Sequence, residues 1–115
     1  MSPSGRSAAS SRRRYAPIFA ALGDETRLSL VAALSSGERR SIVELTEGTR
    51  LTRQAVTKHL RVLEGARIVR SVRSGRESVF ELDPEPIRQV GEYAELVSAH
   101  WDAALGRLKA FVERE

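Results

Sequence analysis

Apolar positions along the chain change their period several times, and each change marks an element. Ile18, Phe19 and Leu22 give a short first helix over about 15–22, which Gly23 ends. Asp24 is an N-cap residue and Glu25 suits the first turn of the next helix. Leu28, Val31 and Leu34 or Ala32 then follow at helical spacing, predicting a helix over 25–35 that stops at Gly37. Ser41 and Glu44 form a capping box for a short helix over 42–47, with Ile42 and Leu45 on its buried side and Gly48 closing it. Thr49-Arg50-Leu51 is a tight connection, and Thr52 caps a helix over 53–64 with Val56, Leu60 and Leu63 as its core stripe. Two helices joined by a few residues make a helix-turn-helix pattern.

After residue 64 the period falls from 3.6 to 2. Residues 68–72 and 78–82 are rich in β-branched and aromatic side chains. Arg73-Ser74-Gly75-Arg76 lies between them, with Gly75 free to take a positive φ. This is a β-hairpin with a basic tip. Asp83-Pro84-Glu85-Pro86 breaks the strand and opens a last helix over about 86–113, roughly 40 Å long. Its apolar residues Ile87, Val90, Ala94, Val97, Trp101, Leu105, Leu108 and Val112 step by three and four, a heptad-like seam. A small domain cannot cover so long a stripe alone, so the seam is expected to be a subunit interface rather than part of a monomer's core. The fold class is therefore mainly α with a β-hairpin wing.

Charge adds a location for function. The net charge is +4, but residues 50–76 hold seven Arg and one Lys against Glu64 alone, +7 in all. Such a segment is the footprint of a polyanion partner. On a helical wheel Arg53, Gln54, Thr57, Lys58 and Arg61 share an acid-free arc opposite the core stripe. Arg can read guanine, Gln adenine, and Thr a base edge or a thymine methyl, so this helix suits the DNA major groove. His59 stands at the edge of the arc, where it either bonds a phosphate or base or fills the boundary with the core. Arg70, Arg73 and Arg76 on the hairpin suit phosphate or minor-groove contact, which positions the protein without specifying sequence.

Composition excludes other classes. The 115 residues make one domain, and with no Cys there is no disulfide, thiolate metal site or thiol nucleophile. No apolar run reaches the length of a membrane span, and no apolar region follows Arg12-Arg13-Arg14 as in a signal peptide, so a cytoplasmic protein is expected. Residues 1–14 are small, polar and basic; they are expected to be a disordered arm ahead of a domain over 15–115. Catalysis has no support. The two His lie 41 residues apart, and there is neither a Gly-rich phosphate loop nor a close carboxylate pair.

Residues 18–83 resemble the winged helix-turn-helix regulators of the ArsR/SmtB family. The resemblance is carried by Phe19-Ala20-Ala21-Leu22-Gly23-Asp24-Glu25-Thr26-Arg27, by LTRQAVTKHLRVLEGARIV at 51–69 and by RSGRESVFEL at 73–82. It implies a homodimeric repressor on a two-fold symmetric operator, with Gln54 and Thr57-Lys58-His59 facing DNA. It also implies a dimer built from the first and last helices, which brings Phe19 beside the seam. The tail at 100–113 is similar to a metal-independent branch. The family's Cys-x-Cys site falls on Ser41 and Val43, and its two-His site on the last helix finds only His100, so no metal or cofactor is expected. Relatives often carry Gly at the position of Arg67; either Gly65 caps the recognition helix or Arg67 takes a strained turn. Two alternatives remain: a metal-responsive repressor using His100 and carboxylates, and a winged-helix protein-interaction module working through the long helix. A small-molecule effector, if there is one, has a place near Tyr93 and Trp101.

Overall fold

A computed structural model describes residues 4–114, with side chains from residue 9 onward. The elements run α1 (Ser4–Leu22), α2 (Glu25–Leu34), β1 (Arg40–Ser41), α3 (Ile42–Glu47), α4 (Arg53–Gly65), β2 (Val69–Ser74), β3 (Glu77–Leu82) and α5 (Pro84–Glu113). The strands form one antiparallel sheet in the order β1-β3-β2. Helix-turn-helix, hairpin and long last helix all lie where the pattern placed them.

Local chemistry accounts for most boundaries. Asp24 accepts the Arg27 N–H at 3.0 Å and so caps α2. At α3 both halves of the capping box form: Ser41 Oγ accepts from the Glu44 N–H at 3.2 Å, and Glu44 Oε1 accepts from the Ser41 N–H at 2.9 Å. Thr52 caps α4 by accepting from the Ala55 N–H at 3.1 Å. The end of α4 settles the question about Arg67. Its φ is +62°, and the Ile68 N–H donates to the Leu63 carbonyl at 2.9 Å while the Arg67 N–H donates to Glu64 at 3.0 Å. That is a Schellman ending with arginine in the left-handed position glycine favours. Between β2 and β3 the turn is Gly75-Arg76, with Gly75 at φ +62° and Ser74 paired with Glu77. A positive φ at the first central residue alone fits a type II′ hairpin.

One core holds these elements. Ile18 and Ala21 of α1, Leu30 and Leu34 of α2, Leu45 of α3, Val56, Leu60 and Leu63 of α4, Ile68, Val69 and Phe80 of the sheet region and Val90 of α5 are all buried together. Tyr15 and Phe19 of α1 pack their rings on Tyr93 of α5, with centroids 5.5 and 6.2 Å apart.

Four expectations need correction. First, α1 starts at Ser4, so residues 4–14 of the expected disordered arm are helical; residues 1–3 lie outside the described residues. The extension has no apolar stripe to betray it, but four of its eleven residues are Arg, a strong helix former. Second, Leu28 faces solvent and Leu30 fills the core instead. Helix α2 is apolar on several sides, so its period did not choose a face. Third, β1 pairs Arg40 with Phe80 and Ser41 with Val79, a two-residue strand too short to show alternation. Fourth, Val90 is buried in the protomer's own core and Ile87 packs against it, so neither belongs to an outer seam. The seam proper begins further along α5. Ala94, Val97, Trp101, Leu105 and Leu108 are exposed there, Trp101 by 64%.

Candidate nucleic-acid interface

The inner and outer sides of α4 are sharply divided. Val56, Leu60 and Leu63 are 0% exposed and lock the helix to the core. Arg53, Gln54, Lys58 and Arg61 are exposed on the opposite arc, and Thr57 is half-buried beside them. The Thr57 hydroxyl donates to the Arg53 carbonyl at 2.8 Å, which leaves its methyl and its oxygen lone pairs for an outside partner. Arg61 meets Glu64 at 3.4 Å, an exposed pair that water and salt weaken. Glu64 also accepts from the Ser71 hydroxyl at 3.0 Å, tying α4 to β2. The arc remains basic and free of acids, as the wheel predicts.

His59 and Arg70 have partners within the fold. His59 Nδ1 lies 3.1 Å from Arg27 Nη1 and 3.7 Å from Asp24 Oδ2, and the His59 side chain is 23% exposed. It fills the seam between α4 and α2 rather than the outer arc. Hydrogen bonding from the Arg27 backbone N–H, with the Arg27 charge, holds the Asp24 carboxyl below its usual range. Arg70 is committed to acids: its Nε donates to Glu81 at 2.7 Å and its Nη1 lies 3.7 Å from Asp83. Glu81 is also met by Arg39 at 2.9 Å. Hydrogen bonds from Arg70 and then Arg39 hold the Glu81 carboxyl low, and the same pairing with Glu81 raises Arg70. Arg70 stays exposed, so a phosphate would compete with Glu81 and Asp83 for it.

Arg73 on β2 and Arg76 at the hairpin tip are exposed and form no ion pair among the described residues. Arg50 joins them as a cation not singled out from the sequence. It sits exposed in the turn ahead of α4. Thr49 fixes that turn by donating to the Thr46 carbonyl at 3.0 Å and accepting from the Leu51 N–H at 3.1 Å. Its signal was membership of the +7 segment. Its position was not legible, because a turn has no face until it folds.

A helix-turn-helix domain family matches residues 22–72. Over 79 residues the chain is 39% identical to YuzN, an uncharacterised HTH-type transcriptional regulator of Bacillus subtilis, covering 64% of this chain and 86% of that protein. It is 28% identical over 75 residues to the arsenical resistance operon repressor of Bacillus subtilis, covering 65% of this chain and 71% of the repressor. The structure of an ArsR-like transcriptional regulator from Rhodococcus sp. RHA1 superposes with a TM-score of 0.75 at 31% identity, covering 89% of this chain and 95% of that one. This chain belongs to the ArsR family of winged helix-turn-helix transcriptional regulators. It is a DNA-binding regulator, and its relatives are regulators rather than enzymes.

This ArsR-family protein lacks the cysteine site. Ser41 and Val43 stand at those positions, and Ser41 is spent on the capping box of α3. Among the described residues no group of three or more His, Cys, Asp or Glu is arranged to hold a metal ion. No helix among them is long and apolar enough to cross a membrane. Tyr93 lines a shallow cavity of about 320 Å³ with Arg12, Tyr15, Ala16 and Phe19; Trp101 is not part of its wall.

Proposed function

We propose that the protein is a homodimeric repressor of an inverted-repeat operator, with α4 in the major groove and α3 crossing the backbone beside it. The observation that carries this reading is the division of α4. Its inner stripe is buried in the core, and its outer arc offers Arg53, Gln54, Thr57, Lys58 and Arg61 with no acid among them. Gln54 and Thr57 read bases, while Arg50, Arg73 and Arg76 hold phosphates or the minor groove. His59 and Arg70 are left out of the contact set.

The homodimer is supported by the exposed apolar face of α5. Val97, Trp101, Leu105 and Leu108, continued by Leu96, Phe111 and Val112, are each between 37% and 65% exposed. A stripe of this size needs a cover, and a second copy supplies a matching heptad-like one by two-fold symmetry. Phe19, 42% exposed on α1, adds to that face. Occupancy of an operator in the cytoplasm is then enough to block transcription. The name of the arsenical repressor among the relatives supports that sign of control.

Selection of bound duplexes from a random DNA library, with light scattering alongside, tests both halves. A dimer that enriches an inverted repeat is expected. Affinity for the repeat should fall by about 10³–10⁵ between 50 and 200 mM salt, as for six to ten phosphate contacts. A monomer, or a dimer that enriches nothing, overturns the proposal.

A further inference from the structure

The Arg27 side chain ties its own helix, α2, to both α1 and α4. Arg27 lies in the first turn of α2, where its backbone N–H donates to the Asp24 cap. Its guanidinium Nε donates to the Ala21 carbonyl at 2.5 Å, and Nη2 to the Ala20 carbonyl at 3.4 Å. Those carbonyls belong to the last turn of α1, the negative end of the helix dipole, where Ala20 also accepts from the Gly23 N–H at 3.2 Å. The remaining nitrogen, Nη1, lies 3.1 Å from Nδ1 of His59 in the middle of α4. Arginine has only donors and stays charged, so His59 Nδ1 is the acceptor and the ring hydrogen sits on Nε2.

We infer that the Arg27–His59 bond sets the angle of the recognition helix relative to α1, making both residues positioning residues for operator binding. The inference rests on the dimeric DNA-binding reading above. Apolar packing of Val56, Leu60 and Leu63 presses α4 to the core, but such packing is non-directional and permits small rotations. A planar fork with three acceptors in fixed directions does not. From α1 the connection continues through Tyr15 and Phe19 to Tyr93 of α5, the helix with the uncovered face. In a dimer joined there, this chain of contacts fixes the separation of the two recognition helices. Half-sites about 34–36 Å apart are then selected by spacing as well as by base sequence. Neither Arg27 nor His59 touches DNA in this scheme.

The test uses the full chain and the inverted repeat that the library selection yields. Binding is measured to that repeat, to the same half-sites with one base pair inserted between them, and to an unrelated duplex. His59→Leu removes the acceptor, whereas His59→Asn keeps an amide oxygen close to the place of Nδ1. Arg27→Lys keeps the charge but loses the fork, and serves if His59→Leu does not fold. His59→Leu and Arg27→Lys should lose about tenfold on the selected repeat, the worth of one charge-assisted hydrogen bond, with unrelated duplex bound as before. Both should also lose most of the wild-type preference for the original spacing, and His59→Asn should restore it. Wild-type spacing preference in His59→Leu and Arg27→Lys overturns the inference, as does equal loss on all three duplexes. Should the unaltered protein enrich no repeat, the DNA-binding reading fails first and this inference fails with it.

Discussion

Helices α4 and α5 carry the same kind of apolar stripe, and only one of them buries it. Val56, Leu60 and Leu63 on α4 are 0% exposed, while Val97, Trp101, Leu105 and Leu108 on α5 are 37–64% exposed. Their spacings of three and four are alike. What differs is the company. Helix α4 is enclosed by α2, α3 and the strand that follows it, whereas α5 leaves the body of the protomer beyond Val90 and Tyr93. A periodic stripe states that a face needs a partner. It does not state whether the partner lies in the same chain.

The largest expected effect tests that contrast directly. Leu60→Ala should cost about 2–5 kcal/mol of stability, as for a fully buried leucine, at every protein concentration. Leu105→Ala should instead make the unfolding midpoint more dependent on concentration, because it weakens a subunit contact. Thermal unfolding at several dilutions compares them, and equal, concentration-independent losses would erase the distinction.

The outer arc of α4 sharpens the comparison next. Gln54→Ala should cost about 1–3 kcal/mol of discrimination at one base pair in each half-site, with other positions unaffected. Arg73→Ala on the hairpin should weaken all duplexes alike and reduce the salt slope by about one. Binding to a panel of single-base operator variants separates these outcomes. Uniform weakening by both changes would show that α4 is not the reading helix.

A smaller effect concerns how α4 ends. Arg67 holds a φ of +62° that glycine adopts without penalty. Arg67→Gly should raise stability by about 1 kcal/mol, read as an upward shift of the melting midpoint. A fall would mean that the arginine side chain contributes more than its backbone costs.

Acid should act last and least. Asp24 and Glu44 are held low chiefly by backbone N–H donors, and Glu81 and Glu85 by arginine partners. A carboxyl depressed in the fold stabilises it above the unfolded value, and that contribution is lost as pH falls through the folded one. The melting midpoint should therefore stay level from pH 7 to 5 and drop below the ordinary carboxylate range of about 4. A midpoint that rises on acidification would contradict these pairings.

Ser41 with Glu44, Asp24 and Thr52 placed their helix starts from the sequence because a cap depends on three or four adjacent residues. Gly75 placed the hairpin turn for the same reason, and the acid-free arc of α4 follows from helical geometry alone. These local features, together with the +7 segment, were enough for the winged helix-turn-helix and for a basic, acid-free arc on α4. The tertiary structure decided everything that depends on distant neighbours. Glu81, eleven residues away, pairs with Arg70, and Arg27, thirty-two residues away, meets His59 between α4 and α2. It also paired β1 with β3, chose Leu30 over Leu28 for the core, and left the far half of α5 uncovered. The physical reason is common to all of these: a side chain's capacity to bond or bury is written in its type, but the partner that uses that capacity is supplied only when remote segments meet.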